Sequence, residues 1–274
     1  MKLKFVFAVL PVAVLSISAS AEEYRSFSQA AFSQTSRQYN LSGWDSTYKT
    51  ENYNLGSTYY FGPRVTEGPL NEFEYINRIS NVYGGYSRDD SDTDIGTAGG
   101  EYYTGNLMFG GEIQNIKGGN FYTAAAGYFF NPDLLVKLES YTYEGDTTFF
   151  ADAKYNYQLN GTDYLGFHFR TDDQFHLPSF SSKYFKDLGD DHYLALNFSL
   201  IDPDDNDSNF SARADYYFSK VTSFGVYASN QKDYGIGVSH FFNRNVALQF
   251  NYGTSGEGFY DSYDKYSLGL TVQM

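Results

Sequence analysis

The sequence has no cysteine, a single tryptophan and six prolines, and beyond its first residues it has no apolar run of helix length. Without cysteine there are no disulfides, thiolate metal sites or thiol nucleophiles. Without a run of about 20 apolar residues, no helix past the N-terminus spans a bilayer. Basic residues are also scarce, 19 against 33 acidic, for a formal charge of −14. A phosphate-binding surface needs clustered Lys and Arg, so nucleic acid is excluded as a partner. G-x-S-x-G, H-E-x-x-H, P-loop and dinucleotide fingerprints are all missing. Four histidines occur: His168, His176, His192 and His240. The group Asp190-Asp191-His192 has the residue types of an acid–base site. It has no nucleophile or second carboxylate pair beside it, so it reads as a polar turn. The chain is therefore read as no enzyme, with no cofactor and no metal site. The aspartates from Asp202 to Asp207 lack the glycine, glutamate and flanking helices of a calcium-binding loop.

The first residues have their own pattern. Lys2 and Lys4 precede an apolar core from Phe5 to Ile17, and Ala19-Ser20-Ala21 supplies small residues after it. That order is the pattern of a secretory signal, residues 1–21, leaving a barrel domain at 22–274. Loss of Lys2 and Lys4 leaves the remainder still more acidic.

Tyrosine (28), phenylalanine (25) and glycine (26) are abundant, yet mean hydropathy is −0.46. A closed β-barrel reconciles these facts, because only every second residue faces lipid. A repeated unit supports it: an alternating segment ends in aromatics, turns tightly and alternates again. The aromatic ends are Tyr59-Tyr60-Phe61, Tyr102-Tyr103, Tyr128-Phe129-Phe130, Tyr155-Asn156-Tyr157, Tyr184-Phe185, Tyr216-Tyr217-Phe218 and His240-Phe241-Phe242. Turn residues such as Gly105-Asn106, Pro132-Asp133, Asn160-Gly161 and Asn243-Arg244 follow them. Residues 194–200, 246–252 and 266–274 alternate strictly between large apolar and small or polar side chains, the period of a half-buried strand.

Seven such turns predict an all-β, antiparallel, up-and-down transmembrane barrel of about sixteen strands with both termini periplasmic. Fourteen is the alternative, because residues 94–116 and 174–188 alternate weakly. The aromatic clusters are expected to form an interfacial girdle. The connections at the other end (36–47, 87–94, 172–178, 202–208 and 254–264) are longer and more polar, as outer loops should be.

A lysine or arginine facing lipid at mid-membrane costs about 2–4 kcal/mol, so the strand charges are assigned to the lumen. Six are basic: Arg78, Lys137, Lys154, Arg170, Lys183 and Arg213. Six are acidic: Glu74, Glu101, Glu112, Glu139, Asp152 and Asp215. His168 joins them. The excess acid lies in two runs, Asp89, Asp90, Asp92 and Asp94, and Asp202, Asp204, Asp205 and Asp207, both expected at the outer mouth. Acid there would favour cations weakly, or would bridge lipopolysaccharide through divalent ions. Small inward residues (Gly225, Gly235, Gly237, Ala247 and Gly269) are expected to leave room for water, and no connection looks long enough to fold into the lumen.

The N-terminal pattern, the segment Gly62–Tyr86 (GPRVTEGPLNEFEYINRISNVYGGY), the aromatic–turn–strand units and the final alternating strand together resemble a bacterial outer-membrane porin, most closely the general porin family. The resemblance covers the whole mature chain. It implies a Gram-negative outer-membrane channel for passive diffusion of small hydrophilic solutes and ions. It implies lipid, lipopolysaccharide and the barrel-insertion machinery as partners, and it admits a homo-oligomer. Two features depart from the pattern: such chains usually end in Phe, where this one has Met274, and trimeric members carry a long loop inside the lumen. A structural or adhesive barrel without channel activity is the alternative, and a barrel hydrolase is the more remote one.

Overall fold

The computed structural model describes residues 23–41, 44–90, 93–116, 119–204, 206–255 and 261–274. The signal-like segment, Asp92, Asp205 and part of the 254–264 connection lie outside them. Sixteen strands form one closed antiparallel barrel in which each strand pairs with its neighbours in sequence and the first pairs with the last. The first eight are β1 (Glu23–Leu41), β2 (Trp44–Val65), β3 (Asn81–Asp89), β4 (Asp94–Thr104), β5 (Leu107–Ile116), β6 (Gly119–Asn131), β7 (Leu134–Tyr143) and β8 (Asp146–Gln158). The second eight are β9 (Tyr164–Asp172), β10 (Ser179–Gly189), β11 (His192–Ile201), β12 (Asn209–Ser219), β13 (Thr222–Ser229), β14 (Asp233–Phe241), β15 (Val246–Ser255) and β16 (Asp261–Gln273). Closure is carried by β1–β16 register from Phe27↔Gln273 to Tyr39↔Asp261. Ser26 and Met274 then exchange backbone hydrogen bonds of 2.8 Å in both directions. The two weakly alternating stretches are strands β4–β5 and β10, which makes the count sixteen.

The alternation sorts faces as the period requires. Leu55, Val82, Ile113, Leu138, Phe169, Leu196, Val226, Phe250 and Leu268 stand exposed on the outside of the strands. The polar partners between them face inward. Tight turns join β4–β5, β6–β7, β8–β9, β10–β11, β12–β13 and β14–β15, all at the barrel end that holds both termini of the sheet. In the β10–β11 turn Asp190 and Asp191 adopt φ of 53° and 61°, a left-handed pair that Asp tolerates better than most residues. Turn geometry thus explains this acidic pair.

Two connections depart from the sequence-based reading. Within 36–47 the described residues are strand rather than loop: β1 and β2 remain paired out to Leu41↔Trp44, and the hairpin rises as two long strands. The first of the seven expected tight turns is not tight either. Residues 66–80, between β2 and β3, fold inward and cross the lumen at the turn end. Pro63 and Pro69 cannot donate to a ladder, and their neighbourhood is where strand pairing stops.

The aromatic clusters explain where this segment goes. In the three-residue clusters the outer residues point to the barrel exterior and the middle one points in. Phe130 is 64% exposed while Phe129 is 1% exposed; Tyr216–Tyr217–Phe218 and His240–Phe241–Phe242 divide the same way. The outward set forms an exposed aromatic ring around the barrel, and the inward set lines the turn end of the lumen. There it builds three buried clusters, each including or packed against a residue of the crossing segment: Leu70 with Phe241 and Ala247, Tyr75 with Tyr164 and Phe185, and Ile76 with Met108, Phe129 and Leu135. Burying one such side chain away from water contributes roughly 1.5–3 kcal/mol, so the seat is a core in its own right.

Candidate functional site in the lumen

A sixteen-stranded barrel is roughly 30 Å across, more than wall side chains alone can fill. Residues 66–80, extended, reach about 50 Å and can cross it. They do so from the β13–β16 side to the β5–β7 side, nearly opposite on the ring. At one end the Leu70 N–H donates to the Lys220 carbonyl at 2.9 Å, and Gln273 donates its Nε2 to the Leu70 carbonyl at 3.0 Å. Midway, Glu72 accepts from the Tyr217 hydroxyl at 2.5 Å and forms an ion pair with Lys183. Phe73 stacks edge-on against Tyr24 and Phe27, and Arg64 lies over its ring at 4.9 Å. At the far end the Arg78 guanidinium lies 4.4 Å from the Phe129 ring. The Ser80 carbonyl accepts from Phe61 N–H at 2.9 Å, and its hydroxyl accepts from Tyr103 N–H at the same distance.

The expectation that no connection enters the lumen is therefore overturned. Counting a tight turn after Phe61 hid a stretch of fifteen residues between the strands. Arg78 and Glu74 are in the lumen, but on the crossing segment rather than on the wall. Glu74 pairs with Arg64 at 3.4 Å. The small inward residues do not simply leave space for water. Ala247 is covered by Leu70, and Gly235 lies beneath the Tyr227 ring.

On the wall, β7, β8 and β9 bring six of the expected residues together. Register sets Lys137 opposite Asp152, Asp152 opposite Arg170 and Lys154 opposite His168, placing cross-strand partners within reach. Lys137 Nζ is 2.5 Å from Glu139 and 3.9 Å from Asp152; Arg170 bonds Glu139 and lies 3.9 Å from Asp152. His168 Nε2 is 2.6 Å from the same Asp152 oxygen, and Arg170 also caps the Phe150 ring at 4.3 Å. On β12 Arg213 holds Asp215 through two nitrogens, at 2.7 and 3.0 Å. Glu112 and Glu101 are held by tyrosines instead: Tyr83 donates to Glu112 at 2.8 Å and Tyr103 to Glu101 at 2.9 Å, with Asn81 adding 3.1 Å. Glu67 opens the crossing segment with its carboxyl pushed up, first by burial and then by Glu74 and Glu72.

The described residues of the acidic runs sit at the opposite end, at or beside the β3–β4 and β11–β12 connections. Asp94 accepts from the Tyr86 hydroxyl at 2.6 Å and lies 3.8 Å from Arg88. Asp202 accepts from Ser208, and Asp204 lies 3.8 Å from His176. Glu72, Arg64, Tyr75 and the inward aromatics were not legible as lumen residues, although the proline-broken stretch before Asn81 marked where alternation fails.

A family model described as "Putative general bacterial porin" matches residues 2–274. No curated protein sequence matches the chain. Among solved structures, the Acinetobacter baumannii outer membrane protein Omp33 aligns with a TM-score of 0.56 at 15% identity, covering 93% of this chain and all of that one. Pseudomonas aeruginosa OpdQ aligns at 0.53 and 9% identity over 91% of this chain and 97% of its own. A triple mutant of the Rh. blastica porin aligns at 0.51 and 12% identity over 90% of this chain and all of its own. These structural likenesses concern the barrel fold.

Proposed function

The chain belongs to the general bacterial porin family, a non-enzymatic channel of the Gram-negative outer membrane for passive diffusion, and from that membership we propose how its parts divide the work. Small hydrophilic solutes and ions pass along the inner face past Lys137, Glu139, Asp152, Lys154, His168, Arg170, Lys183, Arg213 and Asp215. The path narrows at the turn end, where residues 66–80 cross. The single observation that carries this reading is the closed sixteen-strand barrel whose strand charges converge on one another inside it. Charges paired this way leave no strong net field along the wall, which suits a channel of low charge selectivity.

The acidic runs at the far mouth give a weak preference for cations, stronger at low salt. Residues 1–21 direct secretion, the turn end and both sheet termini face the periplasm, and the loop end meets lipopolysaccharide. The barrel-insertion machinery reads the last strand through its alternation. The fold permits a homo-oligomer and does not require one to complete the lumen.

Purified protein in a planar bilayer tests the proposal. Discrete conductance steps are expected, with a reversal potential in a salt gradient that reports modest cation preference. Asp→Asn changes at Asp89, Asp90, Asp94, Asp202, Asp204 and Asp207 should move that potential toward zero. No movement would leave the acidic mouths without a role in selectivity.

A further inference from the structure

Above the crossing segment lies a cavity of 390 Å³ against β10–β13, within the range of roughly 300–1,000 Å³ typical of small-molecule sites. Its wall is laid out in two rows by strand register. One row runs Ser181, Ser199 and Ser211 across β10, β11 and β12. The row beside it, one inward position nearer the turn end, runs Lys183, Asn197, Arg213 and Tyr227. Tyr75 of the crossing segment closes the floor.

Three properties of this cavity point to one class of occupant. Its two cations are already neutralised, Lys183 by Glu72 and Arg213 by Asp215, so an ion of either sign finds no uncompensated partner. Its remaining polar groups are uncharged: the three serine hydroxyls and the Asn197 amide make no side-chain hydrogen bond among the described residues. Both of its tyrosines pack their rings against glycines. A Cβ at Gly166 would fall 2.5 Å from the Tyr75 ring, and a Cβ at Gly235 would fall 2.0 Å from that of Tyr227. Only a position without a side chain leaves these rings the room they take beside the cavity. Hydroxyls and an amide that both donate and accept, flanked by two aromatic rings, match a solute with a ring of hydroxyl groups and C–H faces.

We propose that this cavity is a binding subsite for a neutral polyhydroxylated solute of sugar type, held between Tyr75 and Tyr227 over the Ser181–Ser199–Ser211 row. The proposal rests on the channel reading for its role in permeation, though binding itself does not depend on it. A solute paused here stands directly above the narrowest part of the path, so occupancy obstructs ion flow.

The test uses the full chain in planar bilayers with sucrose, against succinate and phosphate as charged probes. Sucrose should lower the single-channel current saturably, beyond what viscosity explains. Tyr227→Ala should raise the half-saturating concentration about tenfold, Ser199→Ala with Ser211→Ala should raise it severalfold, and Tyr227→Phe should retain saturation. Calorimetric titration of the detergent-solubilised protein with sucrose gives a readout free of conductance. Steps without saturable sucrose binding by either method overturn the subsite and leave the channel standing. Saturable calorimetric binding without steps does the reverse. Tighter saturation by succinate or phosphate, shifted by Lys183→Ala or Arg213→Ala rather than by Tyr227→Ala, overturns the neutral-solute assignment in favour of an anion site.

Discussion

Glu72 and Lys183, 111 residues apart in sequence, form an ion pair inside the barrel, and the second oxygen of Glu72 takes a hydrogen bond from Tyr217. The Glu72 side chain is almost fully withdrawn from solvent. Removing one partner of such a pair leaves the other charge stranded, at a cost of about 3–5 kcal/mol. Glu72→Gln should therefore loosen residues 66–80, and single-channel currents should become larger and noisier. Protease added from the turn end should cut the segment faster. Exchanging the charges, Glu72→Lys with Lys183→Glu, should restore part of the quiet conductance. Unchanged currents in Glu72→Gln would show that the pair does not hold the segment.

Gly68 lies in the crossing segment with φ of 126°, and a Cβ there would sit 2.6 Å from the Tyr193 ring. Gly68→Ala adds backbone strain and a clash, together about 1–3 kcal/mol. Gly105, with φ of 56° and open space around it, carries only the strain. The temperature at which the barrel loses its compact gel mobility should fall further for Gly68→Ala than for Gly105→Ala. Equal midpoints would contradict the close approach.

Leu138 stands on the outward face of β7 between the inward Lys137 and Glu139. Leu138→Arg should destabilise the barrel in vesicles by about 2–4 kcal/mol, measured by denaturant unfolding. Lys154→Ala, on the inward face of β8, should change stability by about 0.5 kcal/mol or less. The opposite ranking would mean that the faces are assigned backwards.

Asp163 closes the β8–β9 turn, taking the Asp187 N–H at 2.8 Å and the Asn160 amide at 2.8 Å, with Lys186 at 3.4 Å. Burial works against its ionisation, but these partners outweigh it and hold the carboxyl below its ordinary value. The folded group thus titrates lower than the unfolded one. Its stabilisation is complete above the unfolded pKa, near 3.9, and is lost as pH falls through the lower folded value. Asp163→Ala should lower stability at neutral pH by about 1–2 kcal/mol and flatten its decline in acid. The slope of melting temperature against pH between roughly 2 and 5 checks this, and an unaltered slope would remove Asp163 from the account.

The wall was readable from period two, because a strand between water and lipid must alternate. Alternation alone assigned Lys137, Asp152, Arg170 and Arg213 to the face opposite the large apolar side chains. What alternation does not encode is the register between strands, so the meeting of Lys137, Glu139, Asp152, His168 and Arg170 around shared oxygens was invisible. The crossing segment was missed for a related reason. Its partners Tyr217, Phe241 and Gln273 are far along the chain, and nothing local in residues 66–80 announces them. The inward aromatics were hidden by their own neighbours: Phe129 between Tyr128 and Phe130 reads as one more girdle residue until the strand direction gives each ring its side.

The seat of residues 66–80 also bears on the timing of assembly. The segment leaves the ribosome with β2, but the groups that hold Leu70, on Lys220 and Gln273, are made much later, the latter 203 residues on. Docking must wait until the final strands have arrived and the ring is complete. A barrel closed with one of β13–β16 missing, or slipped by two residues among them, would move Lys220 and Gln273 relative to each other, and Leu70 could then satisfy one but not both. Residues 66–80 thereby inspect their own walls, seating fully only where these strands were closed in register.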